Sequence, residues 1–264
     1  RFGEAIHHFS QIIRRGILDS VEKDYEALQK DGAVKRYLNF NEVPIGKLPG
    51  TWYILGRVNT TVNELRMCAK DAGLYYGDNR GNRSFDIKQW AAIKAWTKIS
   101  KNKKINKKEA ELMYKYIREL QDLSFRRDKF WHNLPDYQEY DFKGLKDWCG
   151  LDLPDESKDK PWWEILQRNF KPEQITYFIR LLKRYGARQL NAEPQIIIDT
   201  IHSVKGGEAD NVVLLLDLSR KSEEALINNP DDEHRVFYVG ATRAKKELWL
   251  VRSESDREYL EVIR

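Results

Sequence analysis

Apolar residues recur at Phe2, Ala5, Ile6, Phe9, Ile12 and Ile13, the spacing of one helical face, and Gly16 marks where that helix should end. His7 and His8 fall inside it; neighbouring helical residues point in different directions, so the pair reads as surface rather than as a metal site. Alternation between Val34 and Phe40 predicts a strand, and the Pro44–Gly50 stretch predicts a turn. The apolar run Thr51–Arg57 then reads as a second strand with a polar end, followed by a helix from about Thr60 to Ala72. In an open parallel sheet, ligands meet the chain at the carboxyl ends of strands. Arg57 is therefore a candidate anion contact, with an ion pair to an acid such as Glu64 as the structural alternative.

The period changes after the Gly-, Asn- and Asp-rich Tyr76–Arg83 segment. Ile87, Trp90, Ala91, Ile93, Ala95 and Trp96 predict a buried helix, Ala110–Leu123 another, and strand-poor, tryptophan-rich sequence continues to about Tyr185. Further helices are expected around Trp162–Phe170 and over Pro172–Tyr185, the latter opening with proline in its first turn. Residues 84–190 thus read as a helical insertion interrupting an α/β domain made of 1–83 and 191–264. Within it, Lys98, Lys101, Lys103, Lys104, Lys107 and Lys108 are either a track for a phosphate backbone or a solvated loop and helix start. Phe130, Trp131, Trp148, Trp162 and Trp163 are either stacking platforms for bases or core.

The continuous apolar runs Gln195–Asp199 and Asn211–Asp217 have the character of parallel strands covered on both faces. Between them, Thr200–Glu208 crowds a hydroxyl, an imidazole, an ammonium and a carboxylate around two glycines, a density more typical of a site than of a plain connection. After a loop with a helix over Leu218–Asn229, Asp231–Arg243 predicts a helix with acids at its N-terminus. Val236, Val239 and Gly240 are its expected inward face, and Arg243 emerges ahead of a strand over Glu247–Val251. A guanidinium matches phosphate oxygens and keeps its charge at every working pH; the alternative for Arg243 is a structural ion pair.

Composition narrows this picture without redirecting it. The 264 residues are 41% apolar and 12% aromatic, enough for one large or two small domains. A balance of 46 Lys and Arg against 41 Asp and Glu leaves only +5, which permits nucleic-acid binding without demonstrating it. Two distant cysteines, Cys68 and Cys149, form no CxxC pair, so neither a disulfide framework nor a zinc site is expected and a reducing, cytoplasmic location fits. No apolar run approaches the roughly 18 residues of a membrane span. The chain begins at Arg1 rather than Met, as a piece of a longer protein would.

These segments resemble the motifs of UvrD/Rep-like superfamily 1 DNA helicases. Thr200–Glu208 is similar to the family's T-x-H-x-x-K-G-x-E motif and Arg235–Ala244 to its R-x-x-Y-V-G-x-T-R-A motif. Ile54–Asn59 resembles the weaker I-L-x-R-x-N motif, and Arg1-Phe2 the end of a preceding tyrosine-arginine element. The resemblance implies the second RecA-like domain of an ATP-driven motor moving 3′ to 5′ along single-stranded DNA, with the insertion in the place of the 2B subdomain. It implies that Arg57 and Arg243 reach the γ-phosphate, Arg243 as arginine finger, and that Gly207 and Glu208 lie against the nucleotide. Thr200, His202 and Lys205 would face DNA, while Tyr238 and Arg235 support the finger locally.

Gly207 and Ala209 depart from the family pattern, giving KGGEA in place of KGLEF. The chain also contains no G-x-x-x-x-G-K-[ST], the cradle that holds a triphosphate with Mg²⁺. The expectation is therefore a RecA-like parallel sheet without its own P-loop, taking ATP and Mg²⁺ only together with an N-terminal ATP-binding domain that supplies the metal ligands, and inactive alone. A motor-derived module that binds DNA or protein without catalysis is the alternative.

Overall fold

The computed structural model describes residues 3–20, 32–117, 138–149, 151 and 153–259. Phe130 and Trp131, two of the aromatic candidates, lie outside these residues, as does the side chain of Trp148. The chain divides into two compact units, 1–84 with 184–264, and 85–183.

In the first unit, α1 (Glu4–Arg15), β1 (Ala33–Tyr37), β2 (Trp52–Gly56), α2 (Asn59–Asp71) and β3 (Tyr76–Gly77) precede the second unit. That second unit holds α3 (Ile87–Ser100), β4 (Ile105–Asn106), α4 (Lys107–Tyr114), β5 (Glu139–Tyr140), α5 (Phe142–Cys149), α6 (Trp162–Ile165) and most of α7 (Pro172–Asn191). The first unit resumes with β6 (Ile196–Thr200), β7 (Ala209–Leu215), α8 (Arg220–Asn228), α9 (Pro230–Ala241) and β8 (Ala244–Val251).

Six strands form one sheet in the order β1-β8-β7-β2-β6-β3, all parallel, with helices covering it. This is an α/β fold of RecA-like type. The apolar runs of the central strands are continuous because alternate residues feed two different cores. Leu55, Val212, Leu214, Leu248 and Leu250 pack with Ile6, Phe9 and Ile13 of α1 and Phe237 and Ala241 of α9. Their neighbours Trp52, Ile54, Val213, Leu215, Trp249 and Val251 pack with Val62, Leu65 and Ala69 of α2.

The fully buried face of α9 is Glu233, His234, Phe237, Gly240 and Ala241, and of the residues expected from spacing Gly240 belongs to it while Val236 and Val239 pack against its edge partly buried. Two polar residues belong to it, which a purely apolar pattern cannot register. Gly240 is required there because a Cβ would come within 2.9 Å of Leu214 Cδ1.

In the second unit α3 buries Gln89, Trp90, Ala92, Ile93, Ala95, Trp96 and Ile99, so it is enclosed nearly all round. Trp90, Trp162, Phe170 and Phe178 form an aromatic cluster with Phe85, its ring pairs tilted, stacked or edge-on. Trp162 is thus core, whereas Trp163 is exposed. The helix expected over Trp162–Phe170 is shorter, ending at Ile165. α4 opens with a reciprocal capping box between Asn106 and Glu109. Among the lysine cluster, Lys98 pairs with Glu109 at 2.6 Å while Lys101, Lys103, Lys104 and Lys108 are exposed. α7 is broken at Gly186, whose φ of 69° is left-handed.

Candidate functional site

The loop from Thr200 to Glu208 leaves the carboxyl end of β6 and returns to the amino end of β7. Ile201 and Val204 are buried in the α1/α9 core, and this pinning turns His202 and Lys205 outward. The hydroxyls of Thr200 and Ser203 lie 2.7 Å apart, and the Ser203 amide donates to Thr200 Oγ1, closing a local turn. Asp199, 8% exposed, accepts from the amides of Thr200 and Asn79, and the Asn79 side chain donates to the Ser203 carbonyl at 2.6 Å. The loop is therefore held from a neighbouring connection that spacing alone had marked only as a composition change.

The two glycines in this loop answer different needs. Gly206 has a φ of 91° with open space around it, so its constraint is the backbone itself. At Gly207 the constraint is a neighbour: a Cβ would run into the Tyr53 hydroxyl, which reaches up from β2. Tyr53 takes up space beside the position where the related motif carries leucine, a physical reason for glycine in KGGEA.

Arg57, at the end of β2, donates from Nε and Nη2 to the two carboxylate oxygens of Glu233 at 2.8 and 2.7 Å. The fork is partly buried on the arginine side and almost wholly on the glutamate side, with side chains 19% and 4% exposed. Arg57 is thus an ion-paired residue, but its partner is Glu233 on α9, not the nearby Glu64. Glu233 also has more than the helix N-terminal role assigned to it from sequence. The hydrogen bonds that Arg57 donates to Glu233 hold its pKa above the ordinary value despite burial. His202 feels the same pair: desolvation first, then the charges of Arg57 and Lys205, push its pKa below the ordinary value, with Glu233 opposing.

Arg243 follows the C-terminal end of α9 and folds back along it. Its Nε donates to the Val239 carbonyl at 2.9 Å and its Nη1 to the Gly207 carbonyl at 3.0 Å, while Nη2 reaches only Thr242 Oγ1 at 3.4 Å. The guanidinium thereby ties the helix to the Gly207 turn and keeps one weakly engaged edge. Glu208 lies 3.3 Å from Lys245. Arg235 is 4.0 Å from Asp231, and the Tyr238 carbonyl accepts from the Thr242 amide and hydroxyl.

The structure thus sorts the candidates into two groups. Arg57 is anchored at Glu233 with His202 close by; Arg243 is anchored at Val239 and Gly207, beside Glu208. Glu233 and Val239 are six positions apart on α9, about 9 Å of helix rise. Among the described residues, no group of three or more His, Cys, Asp or Glu side chains could hold a metal ion. No described helix is long and apolar enough to cross a membrane.

Residues 59–255 match the family of UvrD-like helicase C-terminal domains. The chain is 33% identical over 82 residues to a "Probable DNA helicase II homolog" of Rickettsia conorii, a stretch covering 29% of this chain and 13% of that relative. It is 32% identical over 81 residues to the "DNA helicase II" of Rickettsia typhi, covering 28% of this chain and 12% of that relative.

Proposed function

The chain belongs to the UvrD-like helicase C-terminal domain family, and from that premise we propose that its first unit is the second RecA-like domain of an ATP-dependent DNA helicase moving 3′ to 5′. The second unit is then the 2B-type insertion. The observation that carries the reading is Arg243: a guanidinium fixed by two carbonyl acceptors, with a remaining edge free to donate, beside the glycine turn of the T-x-H-x-x-K-G-x-E motif. Gly207 and Glu208 lie at the same end and would line the nucleotide. Thr200, His202 and Lys205, on the outward side of the loop, would meet single-stranded DNA. A single loop that carries both groups transmits displacement from one to the other.

Arg57 would reach the γ-phosphate together with Arg243; in this structure its fork holds Glu233 at the start of α9, the helix that delivers Arg243 from its other end. The triphosphate cradle and the Mg²⁺ ligands would come from an N-terminal ATP-binding domain; these 264 residues alone would neither hydrolyse ATP nor unwind DNA. An arginine finger contributes roughly 10³ to 10⁵ in rate in GTPases. Joined to a matching first domain, the chain should show DNA-stimulated ATP hydrolysis that falls by orders of magnitude in Arg243→Ala. Hydrolysis unchanged by that substitution would remove the finger assignment.

A further inference from the structure

The Thr200–Glu208 loop is held towards both of its ends by side chains that lie outside it. At the far end Arg243 donates to the Gly207 carbonyl; nearer the start, the Asn79 side chain donates to the Ser203 carbonyl at 2.6 Å. The Asn79 amide also donates to Asp199 Oδ2 at 3.1 Å, while Asp199 Oδ1 accepts from the Thr200 amide at 2.8 Å. Asn79 thus grips both the root of the loop and its first turn. Ser203 stands between the exposed His202 and the buried Val204, so the carbonyl it offers lies where the chain passes from solvent back to core.

A stiff turn delivers Asn79 to this position. Gly77 and Arg83 close the turn as an antiparallel bridge, and inside it the Asp78 carboxylate accepts from the amides of Arg80 and Asn82 at 2.9 Å and from the Asn82 side chain at 2.8 Å. Arg83 fastens the base by donating to the carbonyls of Leu190 and Asn191 at 3.0 and 3.4 Å. A donor on a fixed turn holds its acceptor in place, whereas a donor on a loose one follows it.

We propose that Asn79, which lies in none of the stretches that resemble helicase motifs, is a positioning residue for DNA binding: by fixing the Ser203 carbonyl it keeps His202 and Lys205 on the outward side of the loop. The proposal rests on the reading of that loop as part of the single-stranded DNA track. Ile201 and Val204 are sunk in the core, and between them hydrogen bonds set the direction of the main chain at His202. The Lys205 amide donates to the His202 carbonyl at 3.3 Å, so a shift of the main chain at Ser203 carries both outward residues with it. Lys205 is exposed and makes no ion pair among the described residues, which leaves its charge for a phosphate. A loop already held in its binding conformation does not have to be ordered by the ligand.

The test compares the 264-residue chain with its Asn79→Ala and Lys205→Ala variants. Asn79 is exposed, and alanine keeps the main-chain bond to Asp199 while removing the donor to Ser203. The first readout is the proton NMR titration of the His202 imidazole, whose pKa is held down by burial first and then by Arg57 and Lys205, against Glu233. In Asn79→Ala the midpoint should move towards the ordinary 6.5 as the ring leaves that environment. The second is fluorescence anisotropy with a labelled oligothymidylate at low salt. Asn79→Ala should weaken binding about three- to tenfold, the scale on which losing one hydrogen bond depopulates a held conformation, although it removes no charge. A His202 midpoint unchanged in Asn79→Ala would overturn the proposal. So would DNA affinity unchanged in Asn79→Ala but lowered in Lys205→Ala. Affinity indifferent to both substitutions would remove the loop from the DNA track and the proposal with it, an outcome that Lys205→Ala separates from failure of the Asn79 assignment.

Discussion

Arg57 and Glu233, 176 positions apart in the chain, meet through a two-pronged hydrogen-bonded ion pair at 2.8 and 2.7 Å. The pair joins the end of a central strand to the start of the helix that carries Arg243. A planar guanidinium on a carboxylate fixes direction as well as distance, so rotation or sliding of α9 is opposed at this point.

Removing Glu233 strips its partner from a half-buried guanidinium. Glu233→Ala should destabilise the chain by about 1–3 kcal/mol, less than breaking a fully buried pair because Arg57 keeps some contact with solvent. Arg57→Lys keeps the charge but loses the fork and should cost less. Equilibrium denaturation of the two variants measures both; equal stability of Glu233→Ala and the parent chain would show the pair to be incidental.

The same neighbourhood sets a pH response. The His202 pKa lies below its ordinary value of 6.5, so between the two values the unfolded chain binds more protons than the folded one. The contribution of His202 to stability is present above the unfolded value and declines as pH falls from there toward the folded value. Proton NMR of the imidazole should give a midpoint below 6.5, and Glu233→Gln should lower it further, because Glu233 is the charge that opposes the shift.

Gly207 and Tyr53 should behave as a coupled pair. Gly207→Ala drives a methyl group into the Tyr53 hydroxyl and should cost about 1–3 kcal/mol, the usual range for overpacking. In a Tyr53→Phe background the obstacle is smaller, so the same substitution should cost less. A double-mutant cycle from thermal or urea unfolding reads the difference; additive costs would mean that the tyrosine is not what demands glycine.

Asp210 accepts from the Thr51 amide and hydroxyl at 2.9 and 3.1 Å and pairs with Lys246 at 3.0 Å. These partners, the Thr51 amide foremost, hold its pKa below the ordinary 3.8. Its stabilising contribution is present above that value and lost as pH falls through the folded pKa. Asp210→Ala should lower stability near neutrality by about 1–2 kcal/mol. The difference from the parent should shrink in strong acid, as acid unfolding curves would report.

The central strands were legible in the sequence because a parallel strand buried on both faces reads as a continuous apolar run, and Val212–Leu216 is one. The T-x-H-x-x-K-G-x-E and Y-V-G-x-T-R-A stretches were legible for a related reason. Their chemistry is compressed into short segments, so local composition reveals it. Segment order suggested a helical interruption over residues 84–190, and the compact units divide at Ser84/Phe85 and at Lys183/Arg184.

Tertiary structure decided what depends on residues far apart in the chain. Glu233 looks like an ordinary first-turn acid until β2 places Arg57 beside it. Gly207 looks like flexibility until Tyr53 is found in the space above it. Periodicity reports which way a side chain faces, but the identity of the group it faces is set by strand order and helix placement. That is why the sequence specified the motifs, and the packing of α9 on the sheet decided which of their residues meet.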